Sequence, residues 1–441
     1  MTRILLRGGC VLTLGARSPN LRLGDVLIED DVVAEVGTGL RARDAEPVDA
    51  TDTIVMPGFV DTHRHAWRSL SRNVGAWPPG SGTGEAGDSF RPEDVYAATL
   101  IGLLGAIEAG ITTVVDWSPI RPDDALVDSA LRAHADAGLR TVFVLAARTG
   151  TGDHGASAPA IRGLMARIGD AAGPLTTIAF GSHVPDANAY ERVTVEWAAA
   201  RELGLRIHAH VDPEISGPGA IAELARQGLL GADVTLVHCS SLDDEDVEAI
   251  AVSGASVSLA PSGEMTGGLG MPPIQSLIDR DIRPGLGVDE ERLTPGDLFA
   301  QMRATISMQH ATVFDRKLAG KAGVPKLMST RHVLRHATVD GARAAGVGAV
   351  TGSLEPGKQA DIVVLRTDRP NIFPINDPIG AVVWGMDTSN VDWVFVAGKP
   401  LMRGGALEAN VEQARNLAAT AWERVSTTAG LAVGTSPGGE R

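Results

Sequence analysis

The strongest constraint on this chain is an alternation that begins near residue 57. Short apolar runs recur, and each leads into a segment with apolar residues at helical spacing. The runs are GFVDTH (58–63), TTVVDW (112–117), TVFVLAAR (141–148), TIAFGSH (177–183), LRIHAHV (205–211), DVTLVHC (233–239), ASVSLAP (255–261) and RPGLGVD (283–289). Between them lie segments such as EDVYAATLIGLLGAIEAG and RVTVEWAAARELG, each closed by a glycine suited to a helix end. Strands buried on both faces read as near-continuous apolar runs, and eight strand–helix units predict a parallel (β/α)8 barrel of the TIM type. A doubly wound open sheet is the alternative, but no glycine-rich dinucleotide fingerprint follows the first run.

The two ends of the chain have a different texture. RILLRGGCVLTL, GDVLIED and VVAEVG, and later GSLEPGKQADIVVLR and VDWVFVAGKPLMRGG, are β-branched runs cut by turn residues. They predict one composite β-sandwich domain, residues 1–56 plus 353–441, with the barrel (57–352) inserted. Residues 407–428 read as helix, and the tail GTSPGGER as disordered. The Pro/Gly-rich stretch 77–94 is either a lid over the barrel mouth or a surface loop.

A net charge of −15 argues against nucleic acid or an anionic membrane as a partner. Two cysteines, Cys10 and Cys239, lie far apart without a spacing motif, which excludes a disulfide framework and a cysteine-based zinc site. The N-terminal apolar run is too short for a secretory signal, and residues 97–115 are broken by Glu108 and glycines. The expectation is a soluble cytoplasmic protein acting on a small molecule.

Barrel enzymes place their chemistry at the C-terminal strand ends. Six of the eleven histidines fall on or at the end of a predicted strand: His63, His65, His183, His208, His210 and His238. Asp289 ends the eighth. His63 and His65, two apart on one strand, share a face. Imidazole and carboxylate together suit one Zn2+ or Fe2+ ion, which makes water a nucleophile near neutral pH. His134, His154, His310, His332 and His336 lie on predicted helices or loops and read as structural or solvated.

Taken together, MPGFVDTHRH, IHAHV, LVHCSSLDDEDVEAIAVSGASVS, LGVD and GSLEPGKQADIVVL resemble the amidohydrolase superfamily, in its subgroup of deaminases and triazine or chlorinated-triazine hydrolases. The resemblance runs from residue 1 to about 405. It implies a distorted barrel with a composite β-sandwich, one catalytic divalent metal ion (zinc first, iron second) and hydrolytic chemistry. It implies His63, His65, His210 and Asp289 as metal ligands. His238 matches the histidine that hydrogen-bonds water or substrate, Asp289 also takes the proton of that water, and His183 matches a histidine facing the substrate. Dimers are common among similar proteins, so a homodimer or higher homo-oligomer is expected. Lysine occurs only at 317, 321, 326, 358 and 399, beyond the eighth strand, so no carboxylated lysine is available to bridge two metals.

Two positions depart from the family pattern. Deaminases of this subgroup usually carry Glu three residues after the fifth-strand histidine, and this chain has Pro213. The seventh-strand His-x-Pro-x-Ser-Asn pattern is LAPSGEM here, with Leu259 for the His and Glu264 for the Asn. Glu264 is expected to project into the barrel mouth and supply the missing carboxylate, as proton donor or as an anchor for a substrate NH or cation. Trp67, Arg68, Trp117 and Arg148 are further pocket candidates. The expected reaction is hydrolytic deamination of an amino-substituted N-heterocycle. Hydrolysis of another C–N, amide or C–halogen bond, lyase-type metal chemistry, and a catalytically dead scaffold are the rivals in that order.

Overall fold

The computed structural model describes residues 2–73, 90–118, 124–146, 172–184, 190–211, 216–292 and 294–428, with scattered residues of 162–168. Two sheets organise it. The first strands, β1 (Arg3–Val11), β2 (Leu21–Glu29), β3 (Val32–Gly37), β4 (Glu46–Asp49) and β5 (Thr53–Pro57), belong to a nine-stranded sheet. Eight parallel strands follow: β6 (Phe59–Arg64), β7 (Ile111–Ser118), β8 (Arg140–Ala146), β9 (Thr176–His183), β10 (Arg206–Val211), β11 (Val234–His238), β12 (Ser256–Leu259) and β13 (Gly285–Leu286). Each pairs with its sequence neighbour, so the order β6 to β13 is the barrel read from the runs. The last four strands, β14 (Ile362–Arg366), β15 (Val391–Val396), β16 (Lys399–Arg403) and β17 (Ala406–Leu407), return to the first sheet.

Antiparallel pairing of β14 with β5, Ile362 opposite Pro57 through Arg366 opposite Thr53, joins the two ends of the chain. Alternation then sorts their side chains. Ile54, Met56, Val363 and Leu365 join the core shared with the barrel, whereas Val55, Ile362 and Val364 join a separate core with Leu6, Val26 and Phe395. β1 bends at Gly8, whose φ of +79° is open to glycine at little cost. Its first half pairs with β4 and its last residues pair with β5. The helix read at 407–428 begins later, at Val411, because Ala406 and Leu407 hairpin onto β16. That helix packs on α1 (Pro92–Glu108), where Arg424 pairs with Asp94.

Closure of the barrel places the chemistry. β13 is two residues long, and the backbone beyond it completes the ring: Asp289 N–H donates to His63 O at 2.8 Å, and His65 N–H donates to Asp289 O at 3.1 Å. The approach is so close that a Cβ on Gly287 would sit 2.8 Å from the His63 backbone N and O. Glycine at 287 is therefore required by the seam that carries the metal-ligand candidates. Behind β6, the corner between α9 (Thr330–His336) and α10 (Val339–Ala344) accepts the Val60 N–H on Ala337 O. Among the described residues no helix is long and apolar enough to cross a membrane.

Candidate metal centre

Three strand ends and the backbone after β13 converge on one point. His63 and His65 extend from β6, His210 from β10, His238 from β11, and Asp289 follows the short β13. The four imidazoles are buried, with 8 % exposure at most. Asp289 Oδ1 lies 3.4 Å from both His63 Nε2 and His65 Nε2. His63 Nε2 lies 3.2 Å from His210 Nε2. The ligand atoms of His63, His65 and Asp289 fall within 4.8 Å of one another, as do those of His63, His210 and His238.

This donor set fits a divalent cation. Nε2 of His63 faces Nε2 of His210 and Oδ1 of Asp289 at once, and a neutral imidazole has one proton to offer. A cation at the centre satisfies all of these lone pairs. Burial and then His63 keep the His65 imidazole neutral, the form that ligates. Burial alone would raise the Asp289 carboxyl, but its contact with His63 and the fields of His238, His63 and His65 outweigh it and hold it well below the usual carboxylate range.

Backbone conformation marks the same residues. His238, Cys239 and Asp289 adopt φ of +73°, +62° and +63°. Such conformations cost non-glycine residues about 1–3 kcal/mol each and cluster where function needs them. His238 Nδ1 lies 3.1 Å from Glu264 Oε1. Glu264 does not reach the mouth from a loop: it sits on the short helix α6, Pro261–Thr266, and is fully buried. Its Oε1 reaches back to accept the N–H of Ala260, which precedes that helix, at 2.7 Å. This helix-start bond turns the carboxylate inward.

The other sequence candidates are placed as follows. Trp117 packs edge-on against the His210 ring, with centroids 4.0 Å apart. Trp67 and Arg68 lie in the turn after His65, the guanidinium 4.9 Å from the Trp67 ring. Arg68 pairs with Glu290, beside Asp289, and burial lowers its pKa to about 10. The His183 backbone pairs with His210 across β9 and β10. The His183 side chain, Arg148, His154, Pro213 and the stretch 77–89 lie outside the described residues. His208 is buried two residues before His210, with neither ring nitrogen hydrogen-bonded among the described residues.

A second tier of charged residues escaped the sequence reading. Arg64, the residue between the two histidines, is fully buried and donates to Asp61 Oδ2 at 2.7 Å, to Glu291 Oε1 at 3.0 Å and to Gly296 O at 2.8 Å. Glu291 also accepts from Ser69 and Arg72. Asp116 accepts the Ala66 N–H at 2.9 Å and is held by His134 at 2.8 Å, so His134 is structural, as read. The signal was an arginine inside HRH, two acids after Asp289 and one acid inside the apolar run TTVVDW.

Fold and site together define a parallel barrel with buried histidines and a carboxylate clustered at its C-terminal strand ends. The chain belongs to the amidohydrolase family, whose model matches residues 54–401. It is 30% identical over 431 residues to a 5'-deoxyadenosine deaminase of Methanothermobacter thermautotrophicus, covering 92% of this chain and 94% of that one. It is 28% identical to a 5-methylthioadenosine/S-adenosylhomocysteine deaminase of Pelotomaculum thermopropionicum, covering 91% and 94%. In fold it is similar to an adenosine deaminase of Xanthomonas campestris with bound zinc (TM-score 0.81, 21% identity, 97% and 99% covered). It is also similar to an atrazine chlorohydrolase of Arthrobacter aurescens with zinc (TM-score 0.83, 22% identity, 95% and 100% covered).

Proposed function

We propose that this protein hydrolytically deaminates an amino-substituted N-heterocycle, with one zinc ion per chain. The observation that carries the reading is the convergence of His63, His65, His210 and Asp289 beside His238 at the barrel mouth. The deaminase names of full-length relatives direct it to C–N bonds. His63, His65, His210 and Asp289 would hold the ion, which would acidify a bound water at neutral pH. Asp289 and His238 receive protons of the attacking water. The oxygen adds to the amino-bearing carbon, the C–N bond breaks, the two water protons pass to nitrogen, and the products are an oxo heterocycle and ammonia. Trp67, Arg68, Trp117, Arg148 and His183 shape the substrate side. Residues 1–56 and 353–441 form the supporting domain and 57–352 the catalytic one, in a cytoplasmic homodimer.

A second reading, hydrolysis of a different bond such as C–halogen on the same site, is favoured by one observation. Pro213 stands where family deaminases carry the ring-protonating glutamate. Ammonia release separates the two. Zinc-loaded protein is presented with 5'-deoxyadenosine, 5'-methylthioadenosine, aminopyrimidines, pterins and aminotriazines, and release from at least one is expected. Silence throughout, with metal bound, would replace deamination by the second reading.

A further inference from the structure

The proton path has a feature that metal ligation does not require. Glu264 is fully buried, and its Oε2 has no hydrogen-bond partner among the described residues. Its Oε1 does two things, facing His238 Nδ1 at 3.1 Å and accepting the Ala260 N–H at 2.7 Å. A buried carboxylate satisfied through one oxygen is costly. Helix capping alone explains it poorly, since an uncharged side chain can accept one N–H at lower desolvation cost.

The support around it is rigid. Ser262 N–H donates to Gln301 Oε1 at 3.1 Å, which ties α6 to α8 (Leu298–Leu318). Leu269 N–H bonds Glu264 O at 3.0 Å. On the other side, His238 stands at a left-handed φ of +73° at the end of β11. The ring lies 5.2 Å from that of His210 and 5.4 Å from that of His63, centroid to centroid. An acceptor held against Nδ1 places the imidazole proton there. Nε2 then carries the lone pair, within the cluster of ligand atoms.

We infer that Glu264 is a positioning residue: it fixes His238 in the Nδ1–H tautomer, so that Nε2 is the base for the attacking water. A proton gained at Nε2 makes an imidazolium whose charge faces the Glu264 carboxylate. That proton then leaves from the same Nε2 to the departing nitrogen, and the dyad ends as it began. The carboxylate absent at Pro213 is thus not replaced in place: Glu264 acts on the chemistry through His238 and stays off the substrate. The inference rests on the hydrolytic reading of the site.

The test uses zinc-loaded full-length protein with 15N-labelled histidine rings. His238, assigned by the loss of its signals in His238→Gln, is expected to show the Nδ1–H tautomer. An Nε2–H tautomer in the wild type overturns the inference, whether or not Glu264→Gln folds or any substrate is found. With a substrate from the ammonia panel, Glu264→Gln is expected to keep its zinc, to hold KM within about threefold and to lose kcat by about 10²-fold, the scale of general acid–base catalysis. Full kcat in Glu264→Gln overturns it, and so does a loss confined to KM, which marks a substrate anchor. A panel without turnover counts against the deaminase reading alone, and the tautomer then decides the role of Glu264.

Discussion

Arg64 Nη1 donates to Glu291 Oε1 at 3.0 Å, and this bond ties the two halves of the candidate metal site together. Arg64 stands between His63 and His65, and Glu291 stands two residues after Asp289. The pair is separated by 227 residues in sequence, yet it is buried at the seam where the barrel closes. Asp61 completes the set on the other side of the guanidinium. The candidate ligands are thus held by backbone bonds across the seam and by an ion network behind it.

Removing Arg64 leaves the buried Asp61 carboxylate without its cation, while Glu291 keeps only Arg72. Arg64→Met is expected to lower the unfolding free energy by about 3–5 kcal/mol, because an uncompensated buried charge costs more than the pair contributes. Urea unfolding measures it. The triple change Asp61→Asn, Arg64→Met, Glu291→Gln is expected to recover part of the loss. A single variant as stable as wild type would contradict the network's role.

The extent to which this was legible in the sequence differs by layer. The eight barrel strands were readable because a strand buried on both faces leaves a continuous apolar run. β4 and β5 were not separated from their surroundings, since four or five residues between turns carry little pattern. RPGLGVD was read as a strand, and only Gly285–Leu286 ladder there, because the Gly287 N–H still bonds β12 while Asp289 turns to bond the end of β6 at positive φ. His63, His65, His210, His238 and Asp289 stood out as polar residues ending apolar strands. Partners that act across the fold, such as Arg64 with Glu291 or Asp116 with His134, have no local signature. Glu264 was singled out, but its direction depends on a helix start that the sequence LAPSGEM does not announce.

Gly287 should be intolerant of any side chain. A Cβ there would meet His63 N and O at 2.8 Å and His63 Cβ at 2.9 Å, and backbone on both sides cannot yield cheaply. Gly287→Ala is expected to cost about 1–3 kcal/mol as overpacking, and to lower bound metal by forcing β6 away from Asp289. Thermal unfolding with metal analysis checks both. Unchanged stability and metal would show that the seam is looser than described.

Acid sensitivity should trace in part to the corner behind β6. His336 Nδ1 lies 3.3 Å from Asp340 Oδ2, and Arg335 lies 3.6 Å from Oδ1. Burial raises the Asp340 carboxyl, but the contact with His336 and the fields of His336, Arg335 and Arg343 outweigh it and lower the pKa. A carboxyl lowered on folding adds stability above its unfolded value, and that stability is lost as pH falls through the folded value. Asp340→Asn is therefore expected to be less stable than wild type at neutral pH. The gap should close below about pH 4, near the unfolded value. Urea-unfolding free energies across that range decide, and a gap independent of pH would assign the loss to packing.

Trp117 braces the His210 ring from the side, and its removal opens space next to a candidate ligand. Trp117→Ala is expected to cost about 3–5 kcal/mol as a buried aromatic truncation and to weaken zinc binding. Trp117→Phe should retain most of both. Zinc titration against a competing chelator reads the second effect, and an affinity unchanged in Trp117→Ala would remove the brace from the account.

Metal content measured by elemental mass spectrometry on the purified chain decides whether His63, His65, His210 and Asp289 hold an ion. The account predicts about one zinc or iron per wild-type chain, held by three imidazoles and a carboxylate. It predicts almost none in the His63→Ala Asp289→Ala double variant, with native circular dichroism retained. A wild-type protein that is natively folded and active without metal, or a double variant that keeps its ion, would contradict it.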